Sequence, residues 1–195
     1  MRILKEHFGK TGRGEDVEAY TLVGPQISAR VLSYGGILQM LSPFGRDVVL
    51  GFDTVSGYEA QDKYIGAVVG RVAGRIGSGH FTADGIPCTV SVNNGQHCLH
   101  GGITGFNQKI WEASVKGNAL CLTLESPDGD EGFPGRLQVQ VTYRLTPENG
   151  LQITYQAETT RATPVSLTNH SYFNLNGQGV SDYKWPGTQG KNTIP

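Results

Sequence analysis

Hydrophobic and polar residues alternate in several short stretches of the chain, and this period-two pattern predicts β-strands. The predicted strands are residues 18–23, 27–33, 81–83, 88–92, 111–115, 119–124, 137–145 and 151–157, with the apolar run 47–52 as a further candidate. No stretch keeps the i, i+3, i+4, i+7 apolar spacing of an amphipathic helix over three turns. Because the strands are short and separated by turn residues, we expect an all-β sandwich or barrel.

The composition agrees with a chain that reverses direction often. Among 195 residues there are 28 glycines and 9 prolines, and only 17% of the residues are charged, which argues against a helical bundle. The length suits one domain, which we place at residues 1–179. Residues 180–195 are polar, interrupted by glycine and proline and without alternation, so they predict an irregular or disordered tail.

Charge and cysteine usage exclude several classes of partner and compartment. With 16 Lys and Arg against 17 Asp and Glu, the net charge of -1 predicts binding to neither nucleic acid nor an anionic membrane. No apolar run approaches the roughly 20 residues of a membrane helix, and the first residues lack a signal-peptide pattern. Three cysteines without a CxxC pair argue against a disulfide framework, so we expect a cytoplasmic protein.

Two histidines stand in unusual sequence surroundings. His100 precedes two glycines in HCLHGG (97–102), where the missing side chains allow a ligand or another backbone to approach closely. His170 lies in TNHSYFNL (168–175). If this segment is a strand, His170, Tyr172 and Asn174 share one face and form a floor for a polyhydroxylated ligand. The alternatives are a structural histidine in a turn and an ordinary hydrogen-bonded polar cluster.

Two arginines and an acidic turn are the remaining candidates for chemistry. Arg71 and Arg75, in GRVAGRI (70–76), are either solvated surface charges or a joint donor site for sugar hydroxyls or carboxylates. The turn 126–135 lacks the ligand spacing of a calcium loop, and HCLH (97–100) lacks the second ligand pair of a zinc site. We therefore expect no metal site, and the acidic turn to be an exposed loop.

Four segments together resemble one family, the aldose 1-epimerases or galactose mutarotases. They are GAVVGRVAGRI (66–76), HCLHGG (97–102), ESPDGDEGFPG (125–135) and TPVSLTNHSYFNL (163–175), in the order and spacing of that family, and the resemblance reaches about Gly179. It implies a galactose-mutarotase-type β-sandwich and an isomerase that interconverts the α and β anomers of free hexoses such as glucose and galactose. It also implies a small-molecule hexose as partner and no metal or organic cofactor.

The resemblance further implies roles for individual residues. It makes His170 the general acid and places His100 near the ring oxygen of the sugar. Arg75 and the preceding Gly74 would contact the sugar, and Tyr172 would border it. Many family members carry asparagine where this chain has Gly74, so one sugar contact is expected to be absent.

The same resemblance implies that the family continues after NHSYFNL with further strands, which supply a catalytic glutamate and a substrate-binding aspartate. No residue of this chain matches that glutamate, so we expect a sandwich truncated at its C-terminus. Its exposed sheet edges would allow self-association. Two alternatives to an enzyme stay open: a non-catalytic carbohydrate-binding remnant of a mutarotase, and an interaction module whose sheet edges pair with another chain.

Overall fold

The computed structural model describes residues 1–175, and within them almost all regular structure is β-strand. In chain order the strands and the one α-helix are β1 (Arg2–Lys10), β2 (Asp16–Val23), β3 (Ile27–Leu32), β4 (Leu38–Pro43), α1 (Val55–Glu59), β5 (Val68–Val69), β6 (Arg75–Ile76), β7 (His80–Ala83), β8 (Ile86–Thr89), β9 (Cys98–Leu99), β10 (Glu112–Lys116), β11 (Ala119–Ser126), β12 (Leu137–Leu145), β13 (Leu151–Thr159) and β14 (Thr168–Asn169). The all-β prediction is confirmed.

Two four-stranded antiparallel sheets form the body of the described chain. One has the strand order β1-β2-β3-β4 and the other β10-β11-β12-β13, so each is a meander of sequential strands. Their inner faces share one apolar cluster, to which β2 and β3 contribute residues such as Leu22 and Val31, and β11 and β12 residues such as Leu122 and Val141. Burial of this apolar surface holds the sheets face to face as a sandwich.

Strands with one buried face follow the sequence prediction closely. In β12 buried residues alternate with less buried ones along nearly the whole strand, and its bounds equal the predicted 137–145. The β7–β8 hairpin turns on Asp84 and Gly85, both with positive φ, which the Asp-Gly pair tolerates. This two-residue turn is tighter than the predicted one, so Ile86 and the residue after it belong to β8.

Three predictions of the element pattern were incomplete or wrong. Strand β1 was missed because most of its residues are exposed and no apolar alternation marks it. Strand β4 was also missed. The apolar run 47–52 is not a strand: Val49 forms only an isolated bridge with Phe173.

Three small two-stranded pairs occupy the part of the chain outside the two large sheets. In the described residues they are β5 with β14, β6 with β9 and β7 with β8. They lie mostly in the long connection between β4 and β10, which also contains α1, and β14 returns from beyond β13. No helix within residues 1–175 is long and apolar enough to cross a membrane. The predicted tail 180–195, and the predicted domain end at 179, lie outside the described residues.

Candidate active site

The segment that links β5 to β6 brings the two candidate histidines together. Strand β5 pairs with β14, which ends one residue before His170, and β6 pairs with β9, which ends one residue before His100. The GAVVGRVAGRI segment (66–76) thus holds one histidine near each end. The two imidazole rings meet at a centroid distance of 5.2 Å and an interplanar angle of 82°.

His100 is fixed by reciprocal hydrogen bonds with Gly74. The His100 N–H donates to the Gly74 carbonyl at 3.0 Å, and the Gly74 N–H donates to His100 Nδ1, also at 3.0 Å. An accepting Nδ1 carries no proton, so the neutral imidazole has its proton on Nε2. The side chain therefore keeps one N–H donor, at Nε2, that this bond does not use.

His170 is held mainly through its backbone. Its N–H donates to the Ala67 carbonyl at 2.8 Å, and its carbonyl accepts from the Gly66 N–H at 3.0 Å. The neighbouring Asn169 side chain also donates to the Gly66 carbonyl. Strand β14 ends at Asn169, so residues 170–174 are not a strand, and the condition for one strand face shared by 170, 172 and 174 is not met. The Tyr172 ring nevertheless lies 5.2 Å from the His170 ring.

A second tyrosine completes the aromatic cluster and was missed by the sequence analysis. The Tyr64 ring lies 4.7 Å from the His100 ring and 6.0 Å from the His170 ring. Burial raises the pKa of its hydroxyl, and the Asn93 amide donates to that hydroxyl at 3.4 Å. Tyr64 lies in VVLGFDTVSGYEAQDKYIGAVVGR (48–71), a stretch that also resembles the family, but nothing in that stretch singles out Tyr64 as a site residue.

The two arginines four residues apart have different environments. Arg75 is exposed, pairs in register with Leu99, and its Nε donates to the Asn94 side chain at 3.2 Å. Arg71 is 1% exposed, and its guanidinium donates to acceptors between residues 126 and 163. A joint donor site of Arg71 and Arg75 is therefore wrong. Only Arg75 stands beside the histidines.

Positive charge near His100 matters for its protonation. Burial lowers the pKa of His100, and the nearby His170 and Arg75 lower it further. The neutral form that accepts from Gly74 is thus favoured. Within residues 1–175, neither His100 nor His170 forms an ion pair or hydrogen bond with a carboxylate, and both imidazoles are partly buried.

The two glycines after His100 are required by close contacts. A side chain on Gly101 would collide with the Gly70 carbonyl, and one on Gly102 would collide with the Glu131 carboxylate. Both glycines also have positive φ. The two glycines therefore allow other parts of this same chain, and not a ligand, to approach closely. The contact of Gly101 with Gly70 packs the segment around His100 against residues 66–76.

The acidic turn 126–135 supports this region, and it is not merely an exposed loop. The Glu131 carboxylate accepts from the Ile103 and Thr104 N–H groups at 2.8 and 2.9 Å. Asp130 forms a 2.6 Å ion pair with Lys109 and lies largely buried. No group of three or more metal-ligating side chains is found among residues 1–175.

A polar cleft of about 200 Å³ lies apart from the two histidines, between the β1–β2 loop and α1. It contains the carboxylates of Glu15 and Glu59, but both already accept hydrogen bonds from the chain itself. None of its lining residues belongs to the four segments that carry the family resemblance. The histidine pair is therefore the better candidate for chemistry.

Solved structures of similar fold define the class of protein. A galactose 1-epimerase from Lactobacillus acidophilus NCFM superposes with a TM-score of 0.81 at 27% sequence identity, over 90% of this chain and 54% of that one. A GalM/aldose epimerase homologue from C. elegans superposes with a TM-score of 0.76 at 34% identity, over 81% of this chain and 51% of that one. The fold is the galactose-mutarotase-type β-sandwich.

Sequence comparisons then identify the family. The family model for aldose 1-epimerase matches residues 18–191, so the chain belongs to the aldose 1-epimerase family. The galactose mutarotase of Bos taurus is 45% identical over 186 residues, which are 92% of this chain and 54% of the relative. The aldose 1-epimerase of Escherichia coli (strain K12) is 40% identical over 154 residues, 78% of this chain and 42% of the relative. The chain spans about half the length of these curated relatives.

Proposed function

We propose that the histidine pair is the sugar site of an aldose 1-epimerase, which interconverts the α and β anomers of free hexoses such as glucose and galactose. The observation that carries the proposal is the meeting of two sequence-distant imidazoles, with rings 5.2 Å apart, beside Arg75 and two tyrosines. Family membership supports the same reaction class.

The reaction requires an acid and a base on one sugar. A base removes the proton from the C1 hydroxyl while an acid protonates the ring oxygen, and the C1–ring oxygen bond breaks to leave an aldehyde. Rotation about C1–C2 and reclosure on the other carbonyl face give the other anomer. Histidine suits the acid because its pKa lies near neutral pH.

The arrangement supports a division of labour between the histidines. His100 is held neutral by the Gly74 N–H and offers its Nε2–H to a sugar oxygen. The Gly74 N–H bonds only to His100 and leaves the His170 ring free of this restraint. In the proposal His170 therefore gives the proton to the ring oxygen of the sugar and takes it back. Arg75 and the backbone at Gly74 bind the sugar, and Tyr172, which is 39% exposed, borders it. Within residues 1–175 no carboxylate bonds either histidine, so the proposal assigns no described residue as the base.

A second candidate is a carbohydrate-binding protein without catalysis. The observation that favours it is the lack of any carboxylate bonded to His100 or His170 in the described part of the chain. Binding needs only the donors of Arg75 and His100, whereas ring opening also needs the base.

Polarimetry of freshly dissolved α-galactose tests the proposal. Any rate that the wild-type chain adds to the approach to equilibrium rotation should fall by about 10²–10⁴-fold in His170→Asn, the range of general acid catalysis. The matched control is His80→Asn, because His80 is an exposed histidine bonded to Thr89 in the β7–β8 hairpin.

Two results would decide against the enzyme. Relaxation no faster than in buffer would exclude activity of this chain, and galactose binding in the same sample would then favour the binding protein. Equal rates for His170→Asn and wild type would remove His170 from the acid role.

A further inference from the structure

Asn93 lies immediately before the turn that leads to His100, and its side chain forms hydrogen bonds with the backbone on both sides of that histidine. The amide oxygen accepts from the Leu99 N–H at 2.7 Å. The amide nitrogen donates to the Leu99 carbonyl at 3.0 Å and to the Gly102 carbonyl at 2.8 Å. One side chain therefore clamps the residues on both sides of the 100–101 pair.

One residue of the clamped backbone has a conformation that its side chain disfavours. His100 has a φ of 55°, whereas the positive φ values of Gly101 and Gly102, 96° and 106°, are ordinary for glycine. A non-glycine residue adopts positive φ only where its surroundings hold it there. The Asn93 bonds supply part of that restraint, together with the Gly74 bonds to His100.

The same amide also reaches the aromatic wall of the site. Asn93 Nδ2 lies 3.4 Å from the Tyr64 hydroxyl, whose ring packs edge-on against His100 at 4.7 Å. Asn93 thus contacts both the backbone that aims His100 and the tyrosine that packs against it, although it is itself exposed.

We propose that Asn93 is a positioning residue, which holds His100 in the single Nε2–H tautomer and orientation that the sugar site uses. The sugar part of this inference rests on the function proposed above. The positioning part concerns His100 alone and can be measured without any sugar.

The test compares Asn93→Ala with wild type in the full 195-residue chain. Imidazole ¹⁵N NMR reports the tautomer and the pKa of His100. Wild type should show one tautomer, protonated at Nε2, with a lowered pKa. In Asn93→Ala both tautomers should appear and the pKa should rise toward its ordinary value, because the loosened segment hydrates the ring. Galactose should bind about tenfold more weakly, the loss that about 1.4 kcal/mol represents.

The matched control is Asn118→Ala, because Asn118 is an exposed asparagine in the β10–β11 turn whose amide only approaches the Met1 sulfur. It should leave His100 unchanged. A second variant, Asn93→Asp, keeps an acceptor for the Leu99 N–H but loses the donor to the two carbonyls, and it should also show both tautomers. Only the tautomer is compared in this variant, because the new carboxylate raises the pKa of His100 by its charge alone. Since Asn93 is exposed, neither change opens a core cavity.

Each outcome decides the proposal. An unchanged tautomer of His100 in both Asn93 variants would overturn it. So would global unfolding of both variants, because Asn93 would then support the whole fold and not His100 in particular. If wild type binds no galactose but the tautomer changes as expected, the sugar function fails and the positioning role stands.

Discussion

Replacing Arg71 with alanine should destabilise the protein strongly, although the position looks like a surface arginine in the sequence. The guanidinium is 1% exposed and makes five hydrogen bonds. Three of them end on the carbonyls of Ser126, Pro127 and Pro134. The group also packs over the Phe133 ring, with 5.7 Å between the guanidinium carbon and the ring centroid.

The size of the effect follows from these contacts. Three carbonyls lose hydrogen bonds to a charged group, worth about 1.5–3 kcal/mol each, and the space over Phe133 adds a packing loss; the recovered cost of burying the charge offsets part of this sum. The expected fall in the free energy of unfolding is about 4 kcal/mol, a large part of the 5–15 kcal/mol that typical domains have. Arg71→Lys should recover only part, because an ammonium cannot match the planar fork of donors.

Urea denaturation followed by tryptophan fluorescence measures this change. Arg75→Ala is the matched control: Arg75 is exposed with one side-chain hydrogen bond, so its loss should cost within about 0.5 kcal/mol. If the free energy of unfolding of Arg71→Ala lies within about 1 kcal/mol of the wild-type value, the hydrogen bonds of Arg71 to the acidic turn do not stabilise the fold to the expected extent.

Four further outcomes are expected. The pKa of His100 is lowered in the folded protein, so as the pH falls through about 6.5 its imidazole is protonated in the unfolded chain before it is protonated in the folded one. The free energy of unfolding should therefore decrease in that window, and less so in His100→Gln; equal slopes would contradict this. Gly74→Asn should bind galactose more tightly by titration, because no atom lies within 4 Å of the added side chain, at some cost in stability because the φ of 84° strains any residue but glycine. Weaker binding would remove Gly74 from the sugar site. Glu131→Gln should cost about 1–2 kcal/mol in urea unfolding, because one of two backbone N–H bonds is lost; no cost would contradict the anchoring role. Size-exclusion chromatography should show concentration-dependent self-association through exposed edges such as β1 and β13, whereas a monomer at all concentrations would contradict that expectation.

The sequence predicted those strands whose burial imposes a pattern. Strand β12 packs one face on the core, so alternate residues had to be apolar, and its bounds were predicted correctly. Strand β1 is held mainly by backbone pairing with β2 along an exposed edge, which requires no apolar pattern. Because backbone pairing alone does not require a particular pattern of side chains, the sequence could not predict this strand.

The site was predictable only where a motif marked it. His100 and His170 stood out by their neighbours, and the structure brings them together. Arg71 and Arg75 have the same local sequence context, so the sequence could not tell them apart. Arg71 is buried because it donates to carbonyls of the distant 126–134 turn, a tertiary contact that Arg75 does not make. Tyr64 and Asn93 gain their places at the site from tertiary contacts, so local sequence could not assign them.

The most direct test of the account is a galactose titration followed by the imidazole NMR signals of the histidines. If Arg75, His100 and His170 form one sugar site, the His100 and His170 signals should shift together along one saturation curve, and Arg75→Ala should weaken that binding. The exposed His80 signal should not move. Unmoved His100 and His170 signals up to the solubility limit of galactose would contradict the central claim that this histidine pair is a sugar site.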